Sequence, residues 1–161
     1  IKKSKELKKM DYYKSRSGKE LLITFYNKNK YKLVQGVSSE FVKGRPFHVI
    51  ELIDNKGKRY LIVNLHTGHG LLCRKSYVED KLNKFLRKNL NITNGNLIIL
   101  GDFNNHRIKS MKVMGKKLRS SKKKYTKIVD NVLSDKKVYI KRYLKCNLGS
   151  DHVGLICEVK K

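Results

Sequence analysis

Alanine is absent from this chain, arginine is scarce, and basic residues outnumber acidic ones 39 to 13. Only three cysteines occur, Cys73, Cys146 and Cys157, an odd number with no Cys-x-x-Cys spacing. That usage argues against a disulfide framework or a zinc site and points to an intracellular, reducing compartment. No stretch approaches the ~18 consecutive apolar residues of a membrane span. The opening Ile1-Lys2-Lys3-Ser4 lacks the apolar run of a signal peptide, and it lacks an initiator methionine. The expectation is a chain that is either processed or begins inside a longer protein.

What is present suits one domain: 161 residues, 39% of them hydrophobic, can bury a core. The net charge of +26 points to a polyanionic partner, nucleic acid first. A blander origin also accounts for part of it. Lysine exceeds arginine 31 to 8 and asparagine appears 13 times, a profile matching the codon usage of an AT-rich genome. Specific phosphate reading favours the planar arginine fork. Lysine-rich charge suits non-specific, salt-sensitive contact with a nucleic-acid backbone.

The chain is organised around Asn96-Leu97-Ile98-Ile99-Leu100-Gly101-Asp102-Phe103-Asn104-Asn105. Four apolar residues between turn signals read as a strand buried on both faces, delivering Asp102 and Asn104 at its end. Residues 1–20 form a basic segment in which Leu7, Met10 and Tyr13 offer one helical face, or which is a tail. Leu21 to Tyr26 and Tyr31 to Gln35 read as a hairpin, and Val37 to Gly44 as a loop. Phe47 to Ile53 and Arg59 to Leu65 are strands joined by Asp54-Asn55-Lys56-Gly57, a strong hairpin signal. Ser76 and Glu79 suggest a capping box opening a helix whose apolar face is Val78, Leu82, Phe85, Leu86 and Leu90. Residues 105–124 read as a Lys-rich loop or short helix ending in Lys122-Lys123-Lys124, a candidate phosphate-tracking arm. Tyr125 to Leu133, Lys137 to Leu144 and Val153 to Val159 complete the expected strands.

Cleaving a phosphodiester needs a cation on the phosphate oxygens, an activated water and a donor for developing charge. Magnesium takes hard oxygen ligands, usually one or two carboxylates with several waters. Asp102, Asp130 and Asp151 are the acids placed at or next to strand ends, with His66 and His152 as neutral-pH donors or acceptors. Taken singly each has an ordinary reading as a turn residue; Asp130, inside an expected strand, needs a partner if buried.

Order and combination carry more. Gly101-Asp102-Phe103-Asn104, then Ile128-Val129-Asp130-Asn131-Val132-Leu133-Ser134, then Ser150-Asp151-His152 before the terminal strand resembles the endonuclease/exonuclease/phosphatase superfamily, the DNase I-like fold. Upstream, Leu61-Ile62-Val63-Asn64-Leu65-His66 is similar to that family's strand ending in an active-site histidine, and Gly44-Arg45-Pro46-Phe47 to its arginine-bearing strand entry. The resemblance covers Leu21 to Lys161 and implies an α+β protein, a four-layer α/β/β/α sandwich, with residues 21–161 as a partial domain. By that resemblance Asp102 orients or deprotonates the attacking water, Asn104 positions it, and His152, held by Asp130, stabilises the phosphate's developing charge. Asp151 contributes to a magnesium (or manganese) site, His66 contacts the phosphate or leaving oxygen, and Arg45 a flanking phosphate.

The family's opening Asn-bearing strand, helix and Gln-Glu strand find no counterpart here. Gln35 is followed by Gly36, and Glu20, Glu40 and Glu51 stand in other contexts. Gly154 stands where the family often has proline. The sheet is therefore expected to lack its N-terminal strands, with an exposed edge to be covered by another chain. The leading functional expectation is a magnesium-dependent phosphodiester hydrolase, a nuclease acting on DNA or RNA. The alternative is a catalytically inactive basic protein of the same fold, a nucleic-acid-binding, packaging or virion component. A third reading, a lipid-phosphate phosphatase on anionic membranes, is separable by vesicle against DNA binding.

Overall fold

The strands Pro46–Asp54 and Arg59–His66 show how the chain divides into layers. In the computed structural model, which describes residues 7–90, 95–120, 129–145 and 152–160, Phe47, Val49, Leu61, Val63 and Leu65 point to one face and are essentially buried. Ile50, Leu52 and Ile62 point to the other. A strand repeats every two residues, so a sheet apolar on both sides must be covered on both.

The elements in order are β1 (Met10–Ser17), β2 (Glu20–Asn27), β3 (Tyr31–Glu40), β4 (Pro46–Asp54), β5 (Arg59–His66), α1 (Lys75–Asn89), β6 (Asn96–Asp102), β7 (Ser110–Val113), β8 (Lys116–Arg119), β9 (Asp130–Ser134), β10 (Val138–Lys145) and β11 (Val153–Val159). Seven strands form one sheet in the order β3-β4-β5-β6-β9-β8-β7, while β1-β2 and β10-β11 form two separate ribbons. One face of the large sheet carries α1, whose Val78, Leu82 and Leu86 are fully buried against it. Each such side chain contributes roughly 1.5–3 kcal/mol on burial. The ribbons cover part of the other face. Among the described residues this gives three layers of the expected sandwich: helix, large sheet and ribbons.

Between the ribbons lies a cleft of about 420 Å³. Its walls are Thr24 to Asn27 of β2 and Val159 and Lys160, and its floor includes Leu52, Ile62, Ile98 and Leu100. Consequently β6 is not buried on both faces as its sequence suggests. Leu97 and Ile99 are buried under α1, whereas Ile98 and Leu100 are half-buried over the cleft.

Other expectations also change. Met10–Ser17 is a strand, not a helical face, and pairs along its length with β2. Strand β3 therefore does not form a hairpin with β2; it runs to Glu40 and pairs with β4. The turn after Asn27 carries the chain from the ribbon to the large sheet, where β4 offers a longer partner. The Ser76–Glu79 capping box does not form: Arg74 occupies the N-cap without a side-chain bond. Glu79 instead accepts from the backbone N–H of Lys112, and Asn83 Oδ1 accepts from Met114 N at 2.7 Å. These bonds tie α1 to a β7–β8 hairpin where a loop or helix is expected from sequence. Met114 and Gly115, at φ 51° and 74°, make its two-residue turn. Asp130 begins β9 rather than lying within a strand. Lys122-Lys123-Lys124 lie outside the described residues.

Candidate active site

Strand register assembles the site. Strand β5 runs parallel to β6 with His66 beside Asp102, and β9 runs antiparallel to β6 with Asp102 beside Asp130. Three residues far apart in sequence thus stand in one row across three adjacent strands. Close strand approach is enforced at Gly101, where φ is 130° and a Cβ would sit 2.0 Å from the Leu65 carbonyl oxygen. Glycine alone fits there.

The segment after β6 is clipped to the segment after β5. Thr67 N donates to the Asp102 carbonyl at 2.9 Å, and Thr67 Oγ1 donates to the Phe103 carbonyl at 2.6 Å. Asn104 Nδ2 returns a bond to the Thr67 carbonyl at 2.7 Å, and Asn104 N donates to Asp102 Oδ1 at 2.7 Å. Asn104 has φ 46°, a left-handed conformation asparagine tolerates better than most residues. Phe103 is fully buried and anchors the turn. These contacts fix Asp102 with Oδ1 committed to Asn104 and Oδ2 turned to the centre.

Two histidines flank that oxygen. His152 Nδ1 lies 2.7 Å from Asp130 Oδ2, and its Nε2 lies 3.9 Å from Asp102 Oδ2. A carboxylate only accepts, so Nδ1 carries the proton there and Nε2 faces the centre. His66 Nε2 is 3.4 Å from Asp102 Oδ2 and 3.1 Å from Arg45 Nη1, while Nδ1 is 3.2 Å from Glu20 Oε2. A guanidinium only donates, so Nε2 accepts from Arg45 and Nδ1–H is given to Glu20. Arg45 Nη1 is also 3.8 Å from Glu20 Oε1. All six side chains remain partly open to solvent, from 14% for Asp102 to 42% for Glu20.

The structure therefore brings together Arg45, His66, Asp102, Asn104, Asp130 and His152. Asp151 lies outside the described residues. Glu20 is the member that sequence reading passes over. It opens β2 just after the Gly18 turn and meets His66 across 46 positions, with no local pattern to mark it.

Asp102 and Glu20 offer the hard oxygens that magnesium prefers. Among the described residues, however, no three acidic, histidine or cysteine side chains converge as a metal site. The described residues do not complete a magnesium site by themselves.

No family model matches the chain. A protein of Acanthamoeba polyphaga mimivirus, Uncharacterized protein L684, is 35% identical over 98 residues, covering 53% of this chain and 18% of its own length. The chain thus spans under a fifth of that relative. Among solved structures, the human Nocturnin catalytic domain with bound sulfate matches 96% of this chain and 74% of its own, at 14% identity and a TM-score of 0.66. An endonuclease/exonuclease/phosphatase family protein from Bacteroides thetaiotaomicron matches 85% and 65%, at 19% identity and a TM-score of 0.59. The chain has the DNase I-like fold. D. rerio TDP2 complexed with a single-strand DNA product shares it, at 12% identity and a TM-score of 0.59 over 95% of this chain and 78% of that one. In this DNase I-like sheet the row His66, Asp102, Asp130 stands at the C-terminal ends of β5 and β6 and the start of β9.

Proposed function

We propose that this chain carries the phosphodiester-cleaving half-site of a nuclease acting on DNA or RNA. The observation that carries the reading is the convergence of two carboxylate-held histidines, Glu20–His66 and Asp130–His152, on Asp102 Oδ2. A scaffold has no use for two polar pairs aimed at one solvent-open carboxylate. Asp102 orients a water and takes its proton as the water oxygen bonds to phosphorus and the bond to the leaving ester oxygen breaks, that oxygen taking a proton from solvent. His152 Nε2, in the protonated ring, donates to a phosphate oxygen as negative charge grows there. Asp130 holds that ring and offsets its charge. His66 and Arg45 lie on the other side of Asp102, where Arg45 faces a second phosphate oxygen. Asn104 holds the Asp102 carboxylate through its backbone N–H.

Magnesium or manganese, when bound, would supply Lewis-acid neutralisation of the phosphate. The donor set requires a further ligand, for which Asp151 and a carboxylate from another segment are the candidates. The cleft between β2 and β11 is strand-lined and apolar-floored, which supports a polypeptide that completes the ribbon sheet there.

The test is plasmid nicking by the purified chain, with magnesium and with EDTA, beside Asp102→Ala. Magnesium-dependent nicking lost in the variant supports the hydrolase. Tight plasmid binding without nicking favours the second reading, a basic nucleic-acid-binding component in a nucleoprotein or virion. The +26 charge supports that reading. Binding to anionic vesicles but not DNA would favour the lipid-phosphate reading.

A further inference from the structure

We propose a second phosphate-backbone site, a few nucleotides from Asp102, in the groove between β8 and the turn joining β9 to β10. It rests on the nucleic-acid reading of the substrate. Among the described residues, strands β8 and β9 share one register pair, Arg119 beside Ser134, and an opening lies next to it. The opening is a groove of about 390 Å³ lined by Lys117, Arg119, Lys136 and Lys137, with Ser120, Ser134 and Asp135.

Three features distinguish this groove from the general basic surface. Lys117 and Arg119 alternate with Leu118, which is fully buried in the core under α1, so both are fixed on the face toward the groove. The one acid among the described lining residues is already engaged: Asp135 Oδ1 accepts from Leu97 N at 3.1 Å, and Oδ2 pairs with Lys116 at 3.1 Å. Lys117, Arg119 and Lys136 form no ion pair among the described residues, and Lys137 sits over the Tyr139 ring at 5.0 Å. Four cations thus share a concave surface on which the only carboxylate among the described residues is neutralised from behind, an arrangement that concentrates an anion.

Position supplies the ligand. Asp130 and Ser134 lie on the same face of β9, one holding His152 and the other lining the groove. Four residue steps along a strand span about 14 Å. Successive phosphates of one strand rise about 3.4 Å along the helix axis and stand further apart through space, so a few phosphates span the distance. A nucleic-acid backbone whose scissile phosphate meets Asp102 is long enough to reach the groove. A small phosphodiester does not.

The test compares two triple variants that remove equal charge: Lys117→Gln/Arg119→Gln/Lys136→Gln in the groove, and Lys84→Gln/Arg87→Gln/Lys88→Gln on exposed α1. Binding of a 20-base-pair duplex is measured against salt, beside turnover of bis-p-nitrophenyl phosphate and binding to phosphatidylserine vesicles. The groove variant is expected to bind the duplex about tenfold more weakly at 100 mM salt. Its log–log salt slope should fall by about 2–3, since each lost phosphate contact removes about 0.9. Small-diester turnover should be unchanged, and the α1 variant should lose less than twofold in duplex affinity. Equal losses from the two variants would reduce the groove to bulk charge and overturn the proposal. So would a groove variant that loses vesicle binding alone, or a parent chain that binds no duplex. A parent chain that binds the duplex with the expected groove dependence yet cleaves nothing would sink the hydrolase reading and leave the groove standing.

Discussion

Asp130 shows how one side chain acquires meaning from its partner. Its carboxylate holds His152 at 2.7 Å, and His152 in turn faces Asp102. If the two act as a unit, removing either removes most of the benefit of both. Asp130→Asn and His152→Ala are each expected to lower kcat on a nicking substrate by about 10²–10³-fold. The double variant should be scarcely worse than the poorer single one. Multiplicative losses in that cycle would mean that the two residues act separately. His48 is a different kind of residue. It is fully buried between the β1–β2 ribbon and β4, with Nδ1 2.8 Å from Ser15 Oγ and Nε2 2.7 Å from Thr24 Oγ1. Burial lowers its pKa from 6.5 to about 4. The unfolded chain therefore takes up the proton before the folded one does. The stabilisation is complete above pH 6.5, is lost as pH falls from there through 4, and amounts to about 3 kcal/mol. Thermal unfolding followed from pH 7 to pH 4 should show this fall, and His48→Gln should flatten that part of the curve. An unchanged pH dependence in the variant would assign the loss to other groups.

Elements, rather than residues, place the site, and the parallel pair β5–β6 matters most. Gly101→Ala puts a methyl group onto the Leu65 carbonyl, at a φ that alanine avoids. The expected cost is at least about 3 kcal/mol, from clash and strain together. A variant that still folds must move β6 away from β5 and Asp102 away from His66. Urea unfolding reads the first effect and nicking activity the second; a variant with parental stability would contradict the close approach. The same elements show what the sequence can and cannot reveal. The β4–β5 hairpin, α1, β6 and β11 are legible because each carries a local signal, such as the Asp54-to-Gly57 turn or the apolar repeat of Val78, Leu82 and Leu86. Pairing partners are not local. Adjacent β2 and β3 look like a hairpin, yet β3 belongs to the large sheet because β4 matches it over a longer register. Glu20 is illegible for the same reason: its role exists only once β2 lies across β5. The β7–β8 turn, built on Met114 and Gly115, lacks the usual Asn-Gly marker.

At the scale of the whole molecule, the large sheet is covered evenly on one side and unevenly on the other. Under α1 the core is continuous from Phe41 to Leu133, whereas the opposite face opens into the cleft between the two ribbons. Neighbouring residues of β6 sample both environments, which allows a direct comparison within one strand. Ile99 is fully buried on the α1 side, while Ile98 is half-buried over the cleft. A lysine at Ile99 has no route to water and leaves an unpaired charge in the core, so Ile99→Lys is expected to cost more than about 4 kcal/mol and to abolish folding. A lysine at Ile98 can extend its stem along the cleft and place its ammonium in solvent. Ile98→Lys in the purified chain should therefore stay within about 1–2 kcal/mol of the parent in urea unfolding. If a second copy or another polypeptide fills the cleft in solution, that tolerance disappears. Ile98→Lys then becomes nearly as damaging as Ile99→Lys, and the apparent stability of the parent rises with the concentration of the polypeptide that fills the cleft. A small Ile98 penalty in the isolated chain, growing when a completing segment is supplied, is the outcome expected of a sheet finished by another polypeptide. A large penalty in the isolated, monomeric chain would mean that the cleft is closed by the chain itself, and the case for a completing segment would fall.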